Sequence, residues 1–74
     1  MDGAPLTADE VAELPEGTRV AVTWSGGNGP HDYVIAVDKY GGRYVWDGKS
    51  ERIKFYNFLR FVGQERYNTR VWLR

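Results

Sequence analysis

The fold is decided by residues 14–46, which read LPEGTRVAVTWSGGNGPHDYVIAVDKYGGRYVW. Apolar side chains alternate with other residues in three runs, and two glycine-bearing turns, at residues 25–31 and 38–42, separate the runs. Alternation with a period of two is typical of strands, and short turns favour antiparallel neighbours. This stretch therefore predicts three strands of an antiparallel meander.

The turn between the second and third strands sets the predicted register. With residues 39–42 as a four-residue loop, Val37 lies opposite Tyr44 and Ile35 lies opposite Trp46. The alternation then predicts a single core face on the meander. Its members are Val20, Val22, Trp24, Tyr33, Ile35, Val37, Tyr44 and Trp46. The opposite face is mixed, and we expect the N-terminal segment or the last strand to cover its middle.

A short N-terminal helix is predicted by the residues that would cap it. Thr7 and Glu10 have the spacing of a capping box, and Leu6 and Val11 have that of a hydrophobic staple. We expect a helix from residue 8 to about residue 13 that acts as a lid on the sheet.

Composition indicates one small domain of 74 residues, with residues 1–5 flexible at its start. A chain this short buries only about 60% of its unfolded surface, so it depends on a dense core. Three Trp, five Tyr and three Phe can supply that density. The absence of cysteine excludes a disulfide framework and a thiolate zinc site. We find neither a signal peptide nor an apolar run of membrane length, and we expect a cytoplasmic location without membrane contact.

The net charge of zero hides a strong asymmetry along the chain. Residues 1–38 carry one cation and seven acids, whereas residues 39–74 carry nine cations and three acids. A basic end of this kind is typical of proteins that bind nucleic acid or acidic proteins. The alternative is that the acidic helix and the basic strands pair with each other inside the fold.

Residues 51–62 fit two structures. As strands, the segment turns near Asn57 and points Arg52, Lys54 and Tyr56 to one side. As a helix, it carries an apolar i, i+3, i+4, i+7 stripe between a serine cap and a glycine stop. The stripe is Phe55, Phe58, Leu59 and Val62. The aromatic and β-branched residues favour the strands, and the helix stays the alternative.

A final strand over residues 69–73 is predicted with Val71 and Leu73 inward. Five or six short strands with tight turns favour an all-β fold, a small SH3-like antiparallel barrel with a short N-terminal helix. The alternative is an α+β fold with a helix at residues 51–62. Pairing of the last strand with residues 18–24 would close the barrel, and we expect a monomer because closure removes an exposed edge.

Two resemblances accompany this pattern. The segment LPEGTRVAVTW is similar to the opening strands of KOW-type and Tudor-type SH3-like barrels. The longer segment ELPEGTRVAVTWSGGNGPHDYVI resembles uncharacterised small proteins of actinobacterial phages. The first resemblance implies contact with nucleic acid or with ribosomal and transcription machinery, or an aromatic cage for methylated cations. The second implies an accessory or host-interaction protein in the host cytoplasm. Neither carries site residues.

The candidate binding surface is the outward side of the later strands. Its residues are Arg52, Lys54, Tyr56, Arg70, Trp72 and Arg74. An aromatic ring flanked by cations anchors protein interfaces, and it also stacks on bases while the cations meet phosphates. We expect a protein–protein interaction module, with a KOW-type nucleic-acid-binding domain as the alternative. A purely structural interpretation instead packs Trp72 under the N-terminal helix, with the neighbouring arginines pairing the acids of that helix.

Catalytic chemistry is the least supported interpretation. The glycine-rich turn at residues 25–31 lacks the lysine and the helix of a phosphate-binding loop, so we interpret it as a hairpin turn. His31 is the single histidine, and we expect it to be exposed in that turn. We expect no enzymatic activity, no metal site and no cofactor.

Overall fold

The computed structural model describes residues 3–24 and 28–74. Within those residues two helices, five strands and one 3-10 turn follow in chain order. They are α1 (Ala8–Ala12), β1 (Arg19–Trp24), β2 (Asn28–Val37), β3 (Arg43–Trp46), β4 (Arg52–Lys54), α2 (Phe55–Gly63), the 3-10 turn (Glu65–Tyr67) and β5 (Arg70–Leu73). The strands form one sheet in the order β4-β3-β2-β1-β5, and each neighbouring pair is antiparallel. The prediction of a β-rich antiparallel fold is confirmed.

The sheet is open over the described residues, and β4 and β5 form its two edges. The last strand pairs with the first, as predicted, with Val20 opposite Leu73. Pairing between β4 and β5, which a closed barrel requires, is not found in the described part of the chain. Closure and the SH3-like type therefore stay predictions.

The N-terminal helix begins as the sequence predicts. The Thr7 N–H donates to the Glu10 carboxylate at 2.9 Å, and the Glu10 N–H donates to the Thr7 hydroxyl at 3.1 Å, which completes the capping box. Val11 is fully buried, and Leu6 packs against the same core. The helix ends at Ala12, one residue before the predicted end.

The loop between β2 and β3 is one residue longer than predicted. It covers residues 38–42 and is closed by a 2.8 Å bond from the Asp38 N–H to the Gly42 carbonyl. The Asp38 carboxylate also accepts from the N–H groups of Tyr40 and Gly42, at 2.8 Å each. Gly41 has a φ of +84°, which glycine adopts without a steric penalty. The extra loop residue shifts the register of β3 by one.

This shift exchanges the two faces of β3. Ile35 lies opposite Val45, so the predicted pairings of Ile35 with Trp46 and of Val37 with Tyr44 are wrong. A slip of one residue turns every side chain of a strand to the other face. Val45 is therefore fully buried, and Tyr44 and Trp46 are not part of the core face.

Both helices cover the core face of the sheet. The buried cluster is Val11, Val20, Val22, Tyr33, Ile35, Val45, Phe55, Phe58 and Val71. Trp24 packs against the cluster, and Val37 is half-buried. Val71 is inward as predicted, but Leu73 is 56% exposed, because it lies at the end of an edge strand.

Residues 51–62 combine the two predicted structures. Arg52–Lys54 forms a strand, whereas the strand prediction is wrong from Phe55 onward, where α2 begins. The predicted helical stripe packs on the core, and Phe58 in its middle is fully buried. Burial of this stripe across the sheet favours the helix over local strand propensity.

Only part of the glycine-rich turn belongs to the described residues. Residues 25–27 lie outside the described residues, as do residues 1–2 of the predicted flexible start. The end of the predicted turn belongs to β2, which begins at Asn28. His31 is exposed, as expected, but in a strand. Among the described helices, none has the length and apolar character needed to cross a membrane.

Candidate binding face

The sheet has a second side that neither helix covers, which we call the open face. Side chains directly opposite each other in an antiparallel pair share a face, so the registers define its members. They are Arg19, Ala21, Thr23, Asp32, Val34, Ala36, Tyr44, Trp46, Arg52, Lys54, Arg70, Trp72 and Arg74.

One row of the open face crosses all five strands. Arg52 lies opposite Trp46, Trp46 opposite Val34, and Val34 opposite Arg19. The Arg74 N–H donates to the Arg19 carbonyl at 3.0 Å and extends the row to β5. Because neighbouring strands lie about 4.8 Å apart, the arginines that flank the two apolar residues are separated by roughly 14 Å. The row is apolar in its centre and cationic at both ends.

The open face concentrates positive charge. It carries five cations and one acid, whereas the rest of the chain carries five cations and nine acids. A molecule with zero net charge thus has one basic side and one acidic side. Potentials of this kind steer partners of opposite charge toward the surface.

The single acid of this face is already paired. The Arg74 Nε donates to the Asp32 carboxylate at 2.6 Å, and this bond, with smaller help from Arg19, holds the pKa of Asp32 below its usual range. The other four cations of the open face form no ion pair with any described residue. Their charges are available to a partner.

The aromatic rings of the open face are partly engaged. The Arg52 guanidinium lies 4.9 Å from the centre of the Tyr44 ring, within the range of a cation–π contact. The Trp72 indole N–H donates to the Gly3 carbonyl at 3.2 Å. Trp72 is therefore tied to the N-terminal segment, and Arg74 pairs with Asp32 rather than with Asp9, Glu10 or Glu13. The pairing of Arg74 contradicts the purely structural interpretation, whereas the bond to Gly3 gives Trp72 a contact within the fold.

A groove of about 590 Å³ lies beside this row. Its lining includes Trp46 and Val34 together with Arg19 and Arg74. Two acids, Asp32 among them, also reach it. The groove offers apolar surface next to cations.

The turn between β3 and β4 is fixed by one carboxylate. The Asp47 carboxylate accepts from the N–H groups of Lys49, Ser50 and Glu51 at 2.8, 3.1 and 3.1 Å. These bonds lower the pKa of Asp47, and the bond from Lys49 has the largest effect. Glu51 in turn accepts from the Tyr33 hydroxyl at 2.7 Å. The turn is thereby tied to the core beneath the open face.

Five of the six predicted binding residues lie on the open face. Arg52 and Lys54 are on the β4 edge, and Arg70, Trp72 and Arg74 are on the β5 edge, with three strands between the two groups. Tyr56 lies instead on α2, where it is 65% exposed, but it lines a groove at the β4 edge together with Arg52 and Lys54.

The sequence analysis missed the residues that connect the two groups. Arg19 falls on the mixed face of the predicted meander but is not among the predicted binding residues, and Tyr44 and Trp46 are predicted in the core. The length of the loop at residues 38–42 decides on which face the two aromatic residues lie. The signal for a five-residue loop is Asp38, because an aspartate at the start of a turn can accept hydrogen bonds from the N–H groups that follow it, here those of Tyr40 and Gly42.

Comparison of the chain with protein families, with curated proteins and with solved structures found no match. The described residues contain no group of three or more His, Asp or Glu side chains placed to hold a metal ion. The candidate functional feature of the described structure is therefore the open face, with its cations and its apolar centre.

Proposed function

We propose that the protein is a small non-enzymatic binding module whose open face binds an acidic surface of another protein. The observation that carries this proposal is a basic, partly apolar sheet face, with five cations and one acid, that neither helix of the described residues covers. Trp, Tyr and Arg, which all occur on this face, are the residue types that dominate protein interfaces. A phage-encoded host-interaction protein is one setting for such a module.

The proposal extends to the type of fold. We propose that the sheet is a small, partly open barrel of the SH3-like type, in which the two edges β4 and β5 are not paired with each other. The return of β5 to pair with β1 supports it, because this pairing brings the end of the chain back to the start of the meander.

Nucleic acid is the second candidate partner, and the unpaired cations favour it. Binding of single strands also relies on aromatic faces on which bases stack. Here Trp46, Tyr44 and Trp72 are all half-buried, and a guanidinium already lies over the Tyr44 ring. These contacts reduce the surface for stacking and favour a protein partner.

Selection from a displayed library of random peptides tests the proposal. We expect enrichment of acidic peptides, lost when Arg19→Glu and Arg70→Glu are combined on the open face. The matched control is Arg60→Glu, an exposed cation on α2, which should leave the enrichment unchanged. Equal enrichment by all three proteins would show that the open face is not the binding surface.

Fluorescence anisotropy with labelled mixed-sequence single-stranded DNA and RNA tests whether the partner is a nucleic acid rather than a protein. Phosphate contacts of four or five cations would make the affinity for a single strand fall by roughly 50- to 130-fold between 50 and 200 mM salt. We expect no tight complex at either concentration. A tight complex with that salt dependence would replace the protein partner by nucleic acid.

A further inference from the structure

The two edges of the sheet are not equally covered. At β5, the Leu6 N–H donates to the Val71 carbonyl at 2.7 Å, so the N-terminal segment protects that edge. At β4, the sheet order gives no neighbour on the outer side among the described residues. An uncovered edge is a template for the addition of a further strand.

The register shows which groups β4 presents at that edge. The Asp47 N–H donates to the carbonyl of Glu51 directly opposite, which makes this pair a hydrogen-bonded pair of the antiparallel ladder. Hydrogen-bonded and non-hydrogen-bonded pairs alternate along an antiparallel ladder. Arg52 and Lys54 therefore belong to non-hydrogen-bonded pairs with β3, and their N–H groups and the Arg52 carbonyl point outward.

The side chains at this edge define what an added strand would meet. Arg52 and Lys54 lie on the open face, without an acidic partner in the described structure. Ile53 points to the other side, toward the core, and is only half-buried, although Val45 opposite it is fully buried. One flank of the hydrophobic core thus lacks a neighbour at the β4 edge.

A groove of about 670 Å³ continues from this edge. It is lined by Lys54 and Arg52 and by apolar surface from Phe55 and Leu59 of α2. Asp38 also lines it, but its carboxylate already accepts two backbone N–H groups. The groove therefore complements a segment that is acidic and partly apolar.

We propose that the β4 edge binds an extended acidic segment of a partner protein as an added antiparallel strand. The segment has an acid–apolar–acid pattern, because alternate residues of a strand share a face. Its two acids lie beside Arg52 and Lys54, and the apolar residue between them covers Ile53. Main-chain bonds supply affinity and the alternating side chains supply specificity, as in other complexes formed by strand addition. This inference rests on the proposed function and names the partner chemistry for one edge of the same face.

An acetylated and amidated peptide with the central sequence Thr-Glu-Val-Glu-Thr is the probe. Its binding is measured by titration into the ¹⁵N-labelled full chain, with the amides of Arg52 and Lys54 as reporters. In the antiparallel arrangement the second glutamate lies opposite Arg52 and exchanges both main-chain bonds with it. N-methylation of this glutamate should weaken binding at least tenfold, whereas N-methylation of the valine, whose N–H points away, should change it less than twofold.

Two further controls test the pattern and the edge. A peptide of the same composition with the order Thr-Glu-Glu-Val-Thr should bind at least tenfold more weakly, because its acids no longer share a face. Arg52→Glu combined with Lys54→Glu should abolish binding, whereas Arg60→Glu, an exposed cation on α2 that does not line the groove, should leave it within twofold.

The outcomes separate this inference from the proposed function. If both peptide orders bind equally, or if N-methylation of the glutamate has no effect, strand addition is wrong, while acidic binding to the open face stands. The peptide can also fail to bind while the display selection still depends on Arg19 and Arg70. This result overturns strand addition at β4 but leaves the proposed function in place. If neither experiment depends on the open face, both proposals fail.

Discussion

The two faces of the sheet are built from the same strands and the same alternation, yet they differ in chemistry. The covered face presents Val20, Val22, Ile35 and Val45 to the helices, and all four are buried. The open face has apolar residues at its centre but five cations around them. Apolar content alone therefore does not identify the core of this sheet. The distribution of charge does.

Two neighbours in β2 show the same contrast. Asp32 is on the open face, where Arg74 lowers its pKa and favours the ionised carboxylate. Tyr33 is on the covered face, where burial, and then its bond to Glu51, raises its pKa to about 12 and favours the neutral phenol. At these two positions the open face stabilises a charged group and the covered face a neutral one, and the five cations make the open face the side that suits an acidic partner.

The largest expected effect comes from comparing tryptophans on the two faces. Trp24 makes edge-to-face contacts with Tyr33, Phe58 and Phe61 at centroid distances of 5.9, 6.1 and 6.1 Å. We expect Trp24→Ala to cost about 3 kcal/mol, because it opens a cavity beside the core. Trp46→Ala should cost about 1 kcal/mol, because water can reach the vacated site. Urea denaturation followed by circular dichroism measures both.

An equal loss of stability in the two variants would contradict the comparison. It would show that Trp46 is a core residue and that the open face is covered. Such a result would restore the original prediction for this residue and remove the surface on which the proposed function depends.

Alkaline pH provides the second test. The unfolded phenol of Tyr33 ionises near its ordinary pKa of 10, whereas the folded one stays neutral until about pH 12. The contribution of this group to stability is therefore complete below pH 10 and is lost as pH rises to 12. Linkage gives a loss of about 2 kcal/mol over that interval.

Denaturation at pH 10, 11 and 12 measures this loss, and Tyr33→Phe is the control. The variant lacks the ionisable group, so its stability should depend less steeply on pH than that of the parent chain. Identical slopes would show that Tyr33 is not the buried phenol that limits stability.

Much of the covered face could be predicted from sequence. Strand alternation in β1 and β2 identifies Val20, Val22, Tyr33 and Ile35 as core, and the capping residues identify α1. These features depend on local patterns. Which side chains of β3 point to the core could not be predicted in this way, because their direction depends on whether the preceding loop contains four or five residues. That single residue decides whether Trp46 is core or surface.

The candidate site was predicted in part for the same reason. Arg70, Trp72 and Arg74 share a face by alternation in β5, and the sequence placed them correctly together. Their relation to Arg52 depends on the order of the strands, which is a tertiary property. Tyr56 was misplaced because the helical stripe buries Phe58 on the sheet, and such burial outweighs local strand propensity.

Two arginines on opposite faces give the third test. Arg43 lies on the helix side, where its guanidinium donates to the carbonyls of Ala12, at 3.1 Å, and Leu14 and lies 4.1 Å from the centre of the Phe55 ring. Arg43→Lys should cost about 1 to 2 kcal/mol, because an ammonium cannot keep both bonds and the stacking. Arg52→Lys on the open face should cost less than about 0.5 kcal/mol.

Thermal and urea denaturation of these two variants, read by far-UV circular dichroism, compare the roles directly. Equal losses would mean that Arg52 is as much a part of the fold as Arg43. The charge of Arg52 would then be occupied internally, and it would not be available to a partner.

The smallest expected effect on stability comes from Arg70→Glu. Arg70 is exposed and lies opposite Thr23 on β1, without an ion pair in the described part of the chain. Reversal of its charge should change the free energy of unfolding by less than about 0.5 kcal/mol, because exposed positions without specific contacts tolerate substitution. The same change makes the open face less basic, so the variant should associate with acidic peptides more slowly than the parent chain at low salt and at nearly the same rate at high salt, where charges are screened. Stopped-flow association at 20 and 200 mM salt, beside urea denaturation of the same variant, measures both quantities. A destabilisation above about 1 kcal/mol would show that this cation supports the fold, and an unchanged association rate would show that acidic partners approach the molecule by another side.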